Sequence, residues 1–548
     1  MNIPSISRLP SLFAVLILVF SLTAQSDAIP APSPLVDALN ALKQGSMSER
    51  EQAINRLTKL KHPRSLVVLQ ALLAGKLLTV KDQDRLVIGE AIDQDYRIHD
   101  AINDEKLGMV SDDQVSKINL TNKLRSHLRK IIGELELNAD DPAIRLAAVK
   151  AMDKAVDERL LAVFKKRLTI EPDADVKIAI ENILLLQQMD SADKNQRLQA
   201  IDALKSHDSL DVLNKLKALV EKDADGNFLE TDSDIRNLAD AALTKINTRL
   251  QLYTAIETVF FGLSLGAVLV LSAIGLAITF GVMGVINMAH GELMMIGAYT
   301  TYVIQQLLPN QLGLSIVLAI PAAFIISALV GIAIERGIIR FLYGRPLETL
   351  LATFGVSLFL QQTVRSIFSP LNRSVATPEW MSGSWQINDF LSLTWNRFYI
   401  LIFCLLVFVL LMQILKRTKL GLEVRAVAQN RRMAKAMGIP TAQVDAMTFG
   451  LGSGIAGVAG VALSQITNVG PNLGQAYIVD SFMVVVFGGV GNLLGTLVAG
   501  FSLGIANKFL EPFAGAVLAK ILVLVFIILF IQKRPRGLFP QKGRAADS

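Results

Sequence analysis

From about Gln251 almost to the C-terminus, one apolar segment of bilayer-crossing length follows another. Nothing else in the sequence constrains the fold as much. In hydrocarbon no water can satisfy a backbone amide, so each such segment has to pair its own backbone groups as a helix. The segments read as 256–280, 284–308, 313–335, 348–368, 398–415, 441–467, 480–491, 494–510 and 514–532. The stretch 480–491 is short for a span and reads equally as half of a broken helix. Before Gln251 the chain is rich in Asp, Glu, Lys and Arg instead. The 52% hydrophobic content is therefore an average of two unlike halves. Cys404 is the single cysteine, so neither an intrachain disulfide nor a cysteine metal site is available.

Charge orients the apolar half. Arg336, Arg340 and Arg345 form one basic cluster, and seven Lys and Arg residues between Lys416 and Lys435 form a second. Lys533, Arg534, Arg536, Lys542 and Arg544 form a third. The intervening "LPNQL" and "TNVGPNLGQAY" loops have no Lys or Arg. Basic residues accumulate on the cytoplasmic side, so the three clusters and the C-terminus are expected inside. The net charge of +6 then reflects these loops and gives no reason to expect nucleic acid. At the N-terminus, Arg8, the apolar "SLFAVLILVFSLTA" and the small residues of "AQSDA" have the order of a secretory signal peptide. Residues 1–28 are expected to be that peptide, cut after Ala28 or Ala24; an uncleaved anchor is the other reading. Either one sends the polar region outward, to the periplasmic face of a bacterial inner membrane.

That polar region, 35–250, has little Gly or Pro and repeats a two-helix phrase. "PAIRLAAVKAM" followed by "VDERLLAVFKKRL", and "KNQRLQAIDAL" followed by "HDSLDVLNKLKALV", each pair a short helix with an i, i+3, i+4 apolar stripe. The wording resembles HEAT-type repeats at irregular spacing, which bury their stripes by stacking. The fold class expected is all-α: a HEAT-like domain, then a polytopic membrane domain over 255–540 with two related halves. "EKDADGNFLETD" has some look of a calcium loop but lacks the terminal Glu, and reads as a polar turn. The scattered His residues form no ligand-spaced pair, so no metal is expected.

Two stretches look built for more than spanning. "INMAHGELMMIGAY" puts Asn287, His290 and Glu292 into an apolar run, and "VVVFGGVGNLLGTLVAG" puts Asn492 among glycines. A polar side chain at membrane depth faces protein or a wet path, and interrupted segments in corresponding positions of two halves point to a pathway between them. These four residues are the candidate translocation path, with close helix packing as the alternative. For the glycines of Gly450–Gly460, packing is the expected role.

The longest basic loop, "KRTKLGLEVRAVAQNRRMAKAMGIP", carries a helix of its own, ended by Gly438 and Pro440. Its words, with "GVINMAHGELMMIGAY" and "VVVFGGVGNLLGT", resemble the permeases of branched-chain amino-acid ABC importers in the family's order. The resemblance implies that Gly421, Arg425, Ala426, Asn430, Ala434 and Gly438 dock a partner ATPase. It also implies a second permease, two ATPase subunits and an extracytoplasmic binding protein. No "GxxxxGK[ST]" occurs, so ATP is expected to be used by the partners and no cofactor by this chain, a transport subunit without catalytic residues. The order of signal peptide, helical outer domain and permease, with "TFGVSLFLQQTVRSIFSPLNRSVATPEWM", resembles the urea-importing subgroup. Urea is therefore the expected cargo. A branched-chain amino-acid or short-amide importer is the alternative, and a membrane-anchored helical-repeat scaffold is the reading from another class.

Overall fold

The computed structural model describes residues 34–539 except 45, 61, 82–84, 93, 94, 154 and 155. The expected signal peptide, Lys542 and Arg544 lie outside the described residues. The chain divides into two compact units, Met1–Ala192 and Asp193–Ser548.

The first unit is not all helix. Helices α1 (Pro34–Gln44), α2 (Met47–Lys59) and α3 (Pro63–Leu73) precede five strands. These are β1 (Leu77–Val80), β2 (Arg85–Ile92), β3 (Asp95–Asp100), β4 (Lys106–Ser111) and β5 (Val115–Lys117). They form one antiparallel sheet in the order β4-β3-β2-β1-β5. This corrects the all-α expectation, and the cause lies in a period of two. Leu77, Leu86 and Ile88 pack toward the helices, while Leu78, Val80, Val87 and Ile98 form a second core. Gly75, at φ +69°, ends α3, and Asp100 Oδ1 accepts from Ile102 N and Asn103 N to shape a turn. The expected HEAT-like stack is interrupted by this sheet, and no repeat of that type is established by the helices around it. Among the described residues, 72% are helical.

After the sheet come α4 (Asn122–Glu136), α5 (Pro142–Met152), α6 (Glu158–Leu168) and α7 (Ala174–Gln188). A polar lock joins them. Asp141 caps α5, and Arg145 Nη1 donates to Ala139 O and Asp140 O, both at 2.8 Å. The same guanidinium holds the buried Glu171 at 2.7 Å, and Glu171 accepts from the backbone of Asp173, the cap of α7. Burial alone would raise the Glu171 carboxyl, but hydrogen bonds from Arg145, the Asp173 amide and Arg167 hold it down to about 2.

The second unit opens with α8 (Lys194–Leu204) and α9 (Leu210–Val220) and repeats that device. Arg197 pairs with Glu230, which accepts from Asp232 N, and Arg236 Nη1 donates to Glu230 O and Thr231 O, both at 2.8 Å. Asp232 caps α10 (Ser233–Met283), a single helix of 51 residues that runs without a break across the boundary read at 250–255. No Gly or Pro between Ser233 and Phe261 gives it a reason to stop.

The remaining elements are α11 (His290–Leu307), α12 (Leu312–Gly337), α13 (Pro346–Phe368) and a hairpin of β6 (Ser384–Asn388) and β7 (Leu391–Thr394). Then follow α14 (Trp395–Arg417), α15 (Lys419–Gln429), α16 (Arg431–Ala436), α17 (Thr441–Ser464), α18 (Leu473–Gly488) and α19 (Leu493–Lys533). Among the described helices α10, α12, α14, α17 and α19 are long and apolar enough to cross a membrane. Gly515, at φ +76°, breaks α19 just beyond Pro512, and Phe530 of its second part packs on Phe487 of α18. The most apolar stretch of α17 is 89% buried against 22% for α14, so α17 is central and α14 peripheral. Glycine makes the centre possible: a Cβ on Gly452, Gly457 or Gly460 would lie 2.6, 2.5 or 2.0 Å from a carbonyl oxygen of α10, α12 or α11. With lipid as apolar as the side chains, such close backbone approach supplies much of the attraction between helices.

Candidate functional site

The two glycine-bearing stretches are both helix breaks. Gly284, at φ +66°, ends α10, and five residues pass before α11 begins at His290. Gly489 and Gly491, at φ +104° and +80°, separate α18 from α19. The breaks touch: a Cβ on Gly281 would lie 2.4 Å from Gly491 Cα.

At the first break the candidate residues are fully buried. Asn287 Oδ1 accepts from Ala289 N at 3.0 Å and shapes the turn, while its Nδ2 has no partner among the described residues. His290 Nε2 donates to Ser272 O of α10 at 2.8 Å, which sets its tautomer and leaves Nδ1 unpartnered. Glu292 Oε1 accepts from Ser357 Oγ at 2.8 Å and from Gln361 Nε2, both on α13, while Oε2 is unpartnered. Thr353 Oγ1 accepts from Met288 N at 3.1 Å. His290 and Glu292 therefore tie the start of α11 to α10 and α13, and Asn287, His290 and Glu292 each keep one polar atom unpartnered.

Asn492 sits differently. It is half-buried, its Oδ1 caps α19 through Gly495 N at 3.1 Å, and its Nδ2 donates to Phe539 O at 3.2 Å. Among the described residues no hydrogen bond links it to Asn287 or His290.

The basic loop lies at the same end of the bundle as both breaks. Val424, Val427 and Ala434 pack with Val282 at the end of α10, Leu415 of α14 and Val444 of α17. The expected single helix is two, α15 and α16, because Asn430 takes an extended conformation and caps α16 through Met433 N at 2.9 Å. Gly421 is buried against Leu415, to whose carbonyl Arg425 also donates, and Ala426 is partly buried in the same cluster. Gly438 ends the pair at φ +84°. Arg431 pairs with the buried Asp445 of α17 and stacks 4.5 Å from the ring of Tyr343, whose hydroxyl donates to Glu335 at 2.9 Å. Burial, then the nearby Asp445 and Glu335 carboxylates, push the Tyr343 phenol well above its usual range, so it stays a donor. On this fixed frame Leu422, Met433 and Met437 stand 61, 60 and 77% exposed.

The opposite end of the bundle holds a feature that the sequence reading passed over. A cavity of about 250 Å³ lies between α10, α14, α18 and the two parts of α19, and Arg397, Asp480, Asn507, Lys508, Glu511 and Lys520 reach it. Asp480, Lys508 and Lys520 fall inside segments read as spans. An ionisable residue there is a functional signal by itself, and it could have been used.

A model of the family described as "Branched-chain amino acid transport system / permease component" matches residues 258–531. The chain is 31% identical to the high-affinity branched-chain amino acid transport system permease protein LivH of Escherichia coli (strain K12), over 52% of this chain and 94% of that protein. It is 29% identical to the permease protein BraD of Pseudomonas aeruginosa, over 53% of this chain and 96% of that one. A probable LivH of Methanocaldococcus jannaschii is 25% identical over 49% and 88%. No solved structure matches.

Proposed function

The chain belongs to the family of branched-chain amino acid transport permease components, and from that premise we propose that it is the permease subunit of an ABC importer for urea. It works with a second permease, two ATPase subunits and an extracytoplasmic binding protein, in an inner membrane with the polar half outside and the C-terminus inside. What carries the reading is the α15–α16 loop. Exposed Leu422, Met433 and Met437 stand on a frame locked by Arg431, Asp445 and Ala434, the combination that a rigid docking surface needs. Through such a surface a chain without a phosphate-binding loop of its own can be driven by ATP.

Urea as cargo is supported by the resemblance to the urea-importing subgroup and by a polar half that lies outside the family match, which begins at residue 258. A branched-chain amino acid is the second reading, favoured by the names that LivH and BraD carry. Uptake of labelled urea in a deletion strain complemented with this chain, competed with leucine, separates them. Saturable urea uptake that leucine leaves untouched is the expected result; leucine uptake without urea uptake overturns the cargo. Orientation has its own test. A cysteine at the exposed Ser206 is expected to react with an impermeant thiol reagent in outer-membrane-permeabilised cells and one at the exposed Gln429 is not; the opposite pattern removes the proposed sidedness.

A further inference from the structure

We propose that the cavity at the break of α19 is a solute site, taking a small molecule that offers a carbonyl or carboxylate oxygen to Arg397 and an N–H to Asn507. The inference rests on the importer reading above and adds to it the place where cargo is held.

The charges of the cavity sort themselves. Lys508 pairs with Glu511 at 2.6 Å, and Lys520 with Asp480 at 3.0 Å. Two groups are left over. Arg397 has its guanidinium 4.9 Å from the ring of Phe261, and among the described residues it makes no ion pair. Asn507 is only 7% exposed, and its Oδ1 has no hydrogen-bond partner. A planar fork of N–H donors and a desolvated acceptor that line one cavity call for a ligand with the converse pattern. Ions of a single sign do not have it. Urea, simple amides and amino acids all do. Leu265, Leu269 and Ile466 supply an apolar wall, and Ala516 and Ala519, just past the Gly515 break, line the same cavity with small side chains that leave room for a solute. The cavity lies at the end of the bundle away from the α15–α16 loop, the end that imported solute meets first under the proposed orientation.

The test uses intact cells carrying the complete importer. Arg397→Met removes the fork and keeps the stem, Arg397→Lys keeps the charge, and Asn507→Leu removes the unpartnered acceptor. Losing a charge-assisted hydrogen bond to a small solute is worth about tenfold or more in apparent affinity. The KM for uptake is therefore expected to rise about tenfold or more in Arg397→Met, and by less in Asn507→Leu, which loses a neutral hydrogen bond, and in Arg397→Lys. The amount of assembled complex, measured alongside, is expected to hold. Labelled urea and labelled leucine are run as separate arms; the arm whose KM moves identifies the cargo. If the assembled variants keep a normal KM for the solute that wild type carries, the cavity is not the site and the importer reading stands. If wild type carries neither solute, the urea and leucine readings both fall, and the site proposal falls with them.

Discussion

The two helix breaks are built from the same words and used in opposite ways. Each has a left-handed glycine, an Asn close behind it and a new helix, and the two meet at Gly281 and Gly491. After Gly284 the chain turns inward, and Asn287, His290 and Glu292 are all buried with one polar atom apiece unpartnered. After Gly491 the amide of Asn492 is fully engaged, capping α19 and holding Phe539, while Leu538 N and Phe539 N donate to Phe487 O and Gly488 O. One break places polar groups at depth; the other fastens the segment that follows α19. A shared local sequence therefore does not imply a shared role, because burial and the surrounding helices decide what an Asn can still bind.

The strongest way to break this comparison is at the contact itself. Gly281→Val would drive side-chain atoms into the Gly491 backbone, which has no rotamer with which to yield. Overpacking of this kind costs about 3 kcal/mol or more, and the expected result is little assembled protein by size-exclusion chromatography. Gly284→Ala meets nothing within 4 Å and strains only a positive φ, so about 1 kcal/mol is expected. Equal loss in both would mean that the breaks are held apart.

A second contrast asks what Glu292 does. Glu292→Ala leaves Ser357 and Gln361 without their buried acceptor, for an expected loss of about 1–3 kcal/mol in thermal stability. Glu292→Gln keeps an acceptor oxygen in place and is expected to lose less than half as much. Indistinguishable melting of the two variants removes the bracing role.

The finest test sets the Asn residues side by side. If Asn287 serves a passing solute, Asn287→Leu slows uptake per assembled complex about 5- to 150-fold, the range of an unmet buried polar group. Asn492→Leu is expected to cost a helix cap, about 1 kcal/mol of stability, with uptake per complex unchanged. Equal slowing of uptake by both would return Asn492 to the pathway and erase the asymmetry.

Much of this was legible beforehand. Long apolar runs gave helices, clustered glycines marked the breaks, and Gly438 with Pro440 marked the end of the basic loop. What escaped did so for identifiable reasons. The strands of 77–117 hide their alternation between charged turns and borrow no Gly-Pro punctuation. Asn430 sits in an Ala-rich stretch where propensity argues for one helix, and only its bond to Met433 N reveals the stop. The Arg145–Glu171 lock joins α5 to the loop between α6 and α7 and is invisible to any local pattern. Of the cavity charges, Arg397 and Asp480 are far in sequence from the group at Lys508, Glu511 and Lys520. Asp480 and Lys520 become partners only because the second part of α19 lies along α18.

The unbroken run of α10 has a mechanical consequence. At 1.5 Å per residue, 51 residues make a rod of about 77 Å, of which the hydrocarbon layer takes about 30 Å. The remaining length extends beyond the apolar stretch as part of the same continuous helix. A tilt of roughly 5° in the spanning part displaces the far tip by about 4 Å, and α8 and α9, packed on that arm, travel with it. Any tilt of the apolar part would thus reach the far end of the same helix magnified, with no signal needing to pass from residue to residue.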